Sequence, residues 1–201
     1  MSKTELFGVV VFGAQKVGKT SLITQFVDGT FNNDQYNVSI GVQMYVKHGF
    51  HVDTQKDSPP VDYKIMEATD TGCFYARRDW VYRRMSVIVV AYSITDSSSF
   101  RTAKDILELA RSGESKAKVY LVGLMADLEE QRVVSTAEGE ELARGYGVDC
   151  WELSAADALR VSELFRDVAR WLPMKDKGKE ETSSSEELGV LNKIWKAIVS
   201  W

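Results

Sequence analysis

Short apolar runs recur along the chain at Leu6 to Phe12, Val42 to Val46, Tyr63 to Met66, Val87 to Tyr92, Val119 to Val122 and Cys150 to Leu153. Each has the length and make-up of a strand. Between the later runs the apolar positions change period. Phe100, Ala103, Ile106, Leu107 and Ala110 recur at three-to-four spacing, as do Val161, Leu164, Phe165, Val168 and Leu172, and such stripes are the buried faces of helices. Ser135 and Glu138 form a capping-box pair that opens another helix, each side chain satisfying a free backbone N–H of the first turn. Strands alternating with helices predict an α/β domain with a mainly parallel sheet. Only the second and third runs lack a helix between them. The long polar connection that joins them, with Pro59-Pro60 near its end, predicts an antiparallel hairpin.

After the third helical stripe the pattern lapses. Lys175 to Glu187 is polar, "KDKGKEETSSSEE", and reads as a linker. Beyond it, Leu188, Leu191, Trp195 and Ile198 fall on one face of a predicted amphipathic helix spanning 188–201. The expected organisation is thus one domain over 1–174, a linker over 175–187 and this terminal helix.

Composition narrows the class. The 201 residues are 44% hydrophobic, enough for a full core. With 29 acidic and 25 basic residues the chain has no basic excess to attract nucleic acid. Cys73 and Cys150 form neither a disulfide framework nor, with His48 and His51, a zinc-ligand spacing. A reducing cytoplasm is the expected location, and no apolar run reaches the roughly 18 residues of a membrane-spanning helix.

The first run leads into "GAQKVGKT" at residues 13–20, which satisfies the phosphate-loop pattern G-x-x-x-x-G-K-[ST]. Gly13 and Gly18 let backbone N–H groups cradle a phosphate, Lys19 reaches the β/γ oxygens, and the Thr20 hydroxyl suits Mg²⁺. Lying between a strand and a helix, the loop aims a helix N-terminus at the anion. Gln15, Lys16, Val17 and Ser21 complete the expected phosphate-binding set.

This order of elements resembles the small GTPases of the Ras superfamily, most closely the Rab branch, over about residues 5 to 172. The resemblance implies a P-loop NTPase fold of small-GTPase type, in which a mostly parallel six-stranded sheet has one antiparallel edge strand and helices on both faces. It also implies GTP or GDP with Mg²⁺ as ligands, and protein effectors or regulators as partners. In "DQYNVSIGVQMYVK", Ser39 stands where the family has a Mg²⁺-binding threonine, one residue later than usual. Phe31 stands where the family sets an aromatic edge over the guanine.

The family's Asp-Thr-Ala-Gly-Gln segment aligns without gaps on Glu67-Ala68-Thr69-Asp70-Thr71, a register that also aligns "RRDWVYR" with the family's second helix. Glu67 keeps a carboxylate for the metal, displaced by its extra methylene. Asp70 replaces the glycine whose N–H approaches the γ-phosphate. Its charge there costs on the order of 3 kcal/mol per like-charge pair at about 5 Å and an effective dielectric near 20. Thr71 replaces the glutamine that orients the attacking water and is too short to reach it. A shifted register, with a deletion placing Asp70-Thr71-Gly72 on the motif, would restore a carboxylate and a glycine.

The family's Asn-Lys-x-Asp corresponds to Leu124-Met125-Ala126-Asp127. Asp127 can accept hydrogen bonds from guanine N1 and N2. Met125 can lay an apolar stem against the base, and Leu124 cannot tie this loop to the phosphate loop. Ser154, Ala155 and Ala156 lie where the family's Glu-x-Ser-Ala-Lys loop presents a backbone N–H to guanine O6.

The expected function is a Rab-like guanine-nucleotide-binding protein of the cytoplasm, with impaired or absent hydrolysis. It would recruit partners, in membrane trafficking, and reach membranes peripherally through one of them. With no cysteine after Cys150, no prenyl anchor is expected. The alternatives are a pseudoGTPase scaffold without a regulated nucleotide cycle and an ATP-using P-loop enzyme, against which Asp127 and Phe31 argue.

Overall fold

The computed structural model describes residues 7–31, 42–52, 61–69, 85–112 and 116–172. Within them the chain runs β1 (Phe7–Gly13), α1 (Lys19–Asp28), β2 (Val42–Phe50), β3 (Val61–Thr69), β4 (Met85–Ser93), α2 (Ser97–Ser112), β5 (Lys118–Leu124), α3 (Thr136–Tyr146), β6 (Asp149–Glu152) and α4 (Ala158–Ala169), with a 3₁₀ turn at Glu129–Gln131. The six strands form one sheet in the order β2-β3-β1-β4-β5-β6. The β2–β3 pair is antiparallel and every other pair is parallel.

Helices cover both faces, as the expected α/β architecture requires. On one face, Leu22, Ile23 and Phe26 of α1 pack with Val161, Leu164, Phe165 and Val168 of α4 over Val9, Val11, Val89 and Val122. On the other, Ala103, Ile106, Leu107 and Ala110 of α2 and Ala143 of α3 cover Val10, Ile88, Val90 and Leu121. Successive strand residues point to opposite faces, so a central strand sandwiched by helices is a near-continuous apolar run. β4 is buried throughout.

The edge strand β2 and its neighbour β3 are longer than the apolar runs that flag them. β2 extends past Val46 to Phe50, with its register shifting between Lys47 and Phe50, because an edge strand admits polar residues such as Lys47 and His48. β3 runs from Val61 to Thr69 rather than Tyr63 to Met66, which carries Glu67 to its far end. The cap at α3 is as expected: Ser135 Oγ accepts from the Glu138 N–H at 3.2 Å, and the Glu138 carboxylate accepts from the Ser135 N–H at 2.8 Å. The Pro59-Pro60 connection, the "RRDWVYR" helix, the 175–187 linker and the 188–201 helix lie outside the described residues.

One aromatic cluster sets the tilt of α1. The Phe26 ring stacks on Phe165 of α4 with centroids 3.8 Å apart and meets the Tyr63 ring edge-on at 4.8 Å. The Tyr63 hydroxyl in turn donates to the Phe165 carbonyl. Phe165 is fully buried, and its truncation leaves a cavity beneath α1. Phe165→Ala is expected to destabilise the fold by about 3–5 kcal/mol, against about 1 kcal/mol for loss of the exposed cap in Ser135→Ala; equilibrium denaturant unfolding of the two variants measures both.

Candidate nucleotide site

The carboxyl ends of the parallel strands β1, β3, β4, β5 and β6 meet along one edge of the sheet. Crevices at the carboxyl ends of open α/β sheets are where such folds bind ligands, and the phosphate loop, Glu67 and the loops after β5 and β6 follow these strand ends.

β1 ends in Gly13, where a Cβ would fall 2.3 Å from the Ala91 carbonyl oxygen of β4. Only glycine lets the chain leave the sheet there. The loop then turns through Lys16 and Gly18, both in the left-handed region at φ 65° and 98°. Lys16 is a non-glycine residue in that region, a conformation found disproportionately at ligand-binding loops. Val17 is buried in the core, so the loop is pinned from below and only the Val17 backbone faces outward. Gln15 and Lys16 are exposed and Ser21 is half-buried.

Gly18 is the N-cap of α1. No side chain caps this end, and the first turn has no acidic residue. The first amides of a helix have no partners within it and carry the positive end of its dipole. An uncapped helix N-terminus following such a loop fits a phosphate.

Lys19 supplies the side-chain charge. Its ammonium donates to the Ala14 carbonyl at 2.7 Å and is almost entirely buried. Desolvation pulls its pKa down to about 8, opposed by the negative charge of Glu67. A bound phosphate would give that charge a partner at close range.

Thr20 and Glu67 are brought together. Thr20 Oγ1 donates to Glu67 Oε1 at 2.7 Å, and Tyr45 of β2 donates to Glu67 Oε2 at 3.0 Å. Two hard oxygen donors this close, one of them a carboxylate, fit Mg²⁺. The extra methylene of Glu67, expected to displace its oxygen, carries that oxygen into direct contact with the threonine. Ser39, Asp70 and Thr71 lie outside the described residues.

Tyr45 is the polar participant that sequence reasoning missed, having been read only as a strand residue. Gln43 sits directly opposite Glu67 in the antiparallel register and Tyr45 opposite Ile65. Tyr45 is therefore the diagonal neighbour of Glu67, and long side chains reach across such diagonals. The signal was in the pairing register, which the sequence does not spell out.

The base-side loop follows β5. Leu124 is fully buried, and a Cβ built on Gly18 would lie 3.6 Å from its Cδ1 and 4.0 Å from Met125 Cε. The Leu124 side chain, which has no hydrogen-bonding group, thus lies beside the phosphate loop by apolar packing. Met125 is left-handed at φ 64°, and its sulfur accepts from Ser93 Oγ at 3.2 Å. Asp127 is exposed at the rim.

The last loop lies alongside, joined by the Ala126 N–H to the Leu153 carbonyl at 3.4 Å. Ser154 Oγ accepts from the Ala156 N–H at 3.1 Å, so that amide is engaged within the turn, while the Ala155 side chain is buried. Asp157 then caps α4 by accepting from the Leu159 and Arg160 amides. Arg132 braces the loops from behind, bridging Glu129 and Glu152 at 2.6 and 2.5 Å. Phe31 is exposed just beyond α1.

The lowered Lys19 pKa makes the nucleotide-free fold pH-dependent. Below about pH 8 both folded and unfolded chains hold the proton, and folding bears the cost of burying it. Between about 8 and the ordinary lysine value of 10.5 the unfolded chain holds more protons, so stability rises with pH. In nucleotide-free protein this rise is expected to reach roughly 2–3 kcal/mol, and Lys19→Met is expected to remove it, as read by chemical denaturation at pH 7, 8.5 and 10.

Comparison with known families agrees with this geometry. The model of the Ras family matches residues 8–173, a span that takes in all the described elements but the first residue of β1. The chain belongs to the Ras family.

Proposed function

We propose that this small GTP-binding protein is Rab-like, retains guanine nucleotide and Mg²⁺, hydrolyses GTP very slowly or not at all, and acts by recruiting protein partners in membrane trafficking. Ras-family proteins bind guanine nucleotide with Mg²⁺. The observation that carries the reading is an unaltered phosphate loop, with its uncapped helix end and buried Lys19, whose Thr20 meets Glu67; in the sequence the family's glycine and glutamine that follow are replaced. The Thr20–Glu67 contact supports the ungapped register, in which Asp70 and Thr71 stand for the family's glycine and glutamine.

In this reading the amides of residues 14–20 hold the β-phosphate, and Lys19 turns from the Ala14 carbonyl to the phosphate oxygens. Thr20 and Glu67, with Ser39, hold Mg²⁺, which when bound neutralises phosphate charge. Asp127 accepts from guanine N1 and N2, a pattern that adenine cannot return. Asp70 repels a γ-phosphate, favouring GDP over GTP, and Thr71 leaves the attacking water unoriented. The protein works in the cytoplasm and meets membranes through its partners.

A second reading, a scaffold without a nucleotide cycle, is favoured by the site's internal pairing: Lys19 with Ala14, Thr20 with Glu67, and Met125 with Ser93.

Titration with fluorescent GDP, GTP and ATP analogues separates the readings. Guanine nucleotides are expected to bind in a Mg²⁺-dependent manner and ATP not to bind; Lys19→Ala is expected to weaken GDP binding by about 10–100-fold, the worth of a charged hydrogen bond. Binding that ignores Lys19→Ala sinks the first reading. Asp70→Gly is expected to narrow the gap between GDP and GTP, and equal affinities in both proteins remove the repulsion argument.

A further inference from the structure

Glu67 is a carboxylate with almost no solvent exposure at the end of β3, and each of its oxygens takes a hydroxyl. Oε1 accepts from Thr20 on α1 at 2.7 Å, and Oε2 accepts from Tyr45 on β2 at 3.0 Å. Gln43 Oε1 also lies 2.6 Å from the Tyr45 hydroxyl, and the single phenol proton, offered a neutral amide oxygen and a carboxylate, makes the stronger bond to the carboxylate. Two elements, α1 and β2, thus converge on one side chain of a third, β3.

A glutamate has one more rotatable bond than an aspartate, and its head wanders unless something fixes it. Thr20 fixes one oxygen only, leaving the carboxylate free to swing about that contact. The second hydroxyl removes this freedom. Adjacent corners of an octahedron with Mg–O bonds of 2.0–2.1 Å are about 2.9 Å apart, close to the separation of Thr20 Oγ1 and Glu67 Oε1. The orientation that Tyr45 enforces is therefore one in which both oxygens can serve a single small cation.

We propose that Tyr45 is a positioning residue that holds the Glu67 carboxylate beside Thr20 for direct Mg²⁺ coordination, so that metal-dependent retention of nucleotide is set partly from the edge strand β2. This rests on the nucleotide-and-Mg²⁺ reading above. Tyr45 touches neither nucleotide nor metal in this role and acts through Glu67 alone.

The test uses the full chain loaded with fluorescent GDP. The rate of GDP release is followed as Mg²⁺ is varied, giving the concentration that half-maximally slows release. Tyr45→Phe deletes one hydroxyl and keeps the ring. It is expected to raise that concentration about tenfold, the worth of one hydrogen bond to a charged group, while GDP affinity at saturating Mg²⁺ stays within twofold of wild type. In a Glu67→Gln background the same change is expected to have no further effect, since the carboxylate it positions is gone.

A midpoint within twofold of wild type in Tyr45→Phe, or an undiminished shift in the Glu67→Gln background, overturns the proposal while leaving nucleotide binding intact. A lower melting temperature in Tyr45→Phe with an unmoved Mg²⁺ midpoint assigns the residue a structural role and also overturns it. Wild-type protein that binds no GDP overturns the underlying reading as well.

Discussion

Everything at the site depends on how β1 hands the chain to α1. The strand lies at the centre of the sheet, between β3 and β4, and must leave it within a few residues to start a helix whose first amides face outward. At Gly13 the exit passes so close to the Ala91 carbonyl that no side chain fits. Val17 sinks into the core beneath the turn and Gly18 completes the left-handed step. With neither a capping side chain nor an acidic first turn, the helix keeps its positive end for an external anion.

The remaining structure holds this end in place. On the helical side, Phe26 of α1 is wedged among Phe165, Tyr63 and Phe50, so α1 cannot rotate without breaking an aromatic cluster. On the sheet side, Leu124 and Met125 pack beside Gly18, where the family motif places an asparagine and a lysine. Apolar contact substitutes for polar linkage at that junction.

Burial also explains the charge pattern. Lys19 is desolvated, and its nearest compensating charge is Glu67, itself buried and tied to two hydroxyls. A buried cation and anion separated by hydroxyl partners form a site with unmet electrostatic demand. A phosphate with its metal would satisfy both at once, the anion pairing with Lys19 and the cation with Glu67.

The sequence by itself determined whatever is encoded in contiguous residues. The phosphate loop, the apolar run of β4, the capping box at Ser135 and the faces of α2 and α4 were all legible, because helix and strand periods and turn chemistry act over a few neighbouring positions. Tertiary structure decided what depends on register and on distant approach. The reach of β2 past its apolar run follows from edge-strand exposure, and that of β3 from its pairing with β2 on one side and β1 on the other. The diagonal that sets Tyr45 on Glu67 comes from antiparallel pairing, and the packing of Leu124 against the phosphate loop comes from two strands ending side by side. These partners are tens of residues apart in the chain, so no local pattern records them, and only the folded sheet brings them together.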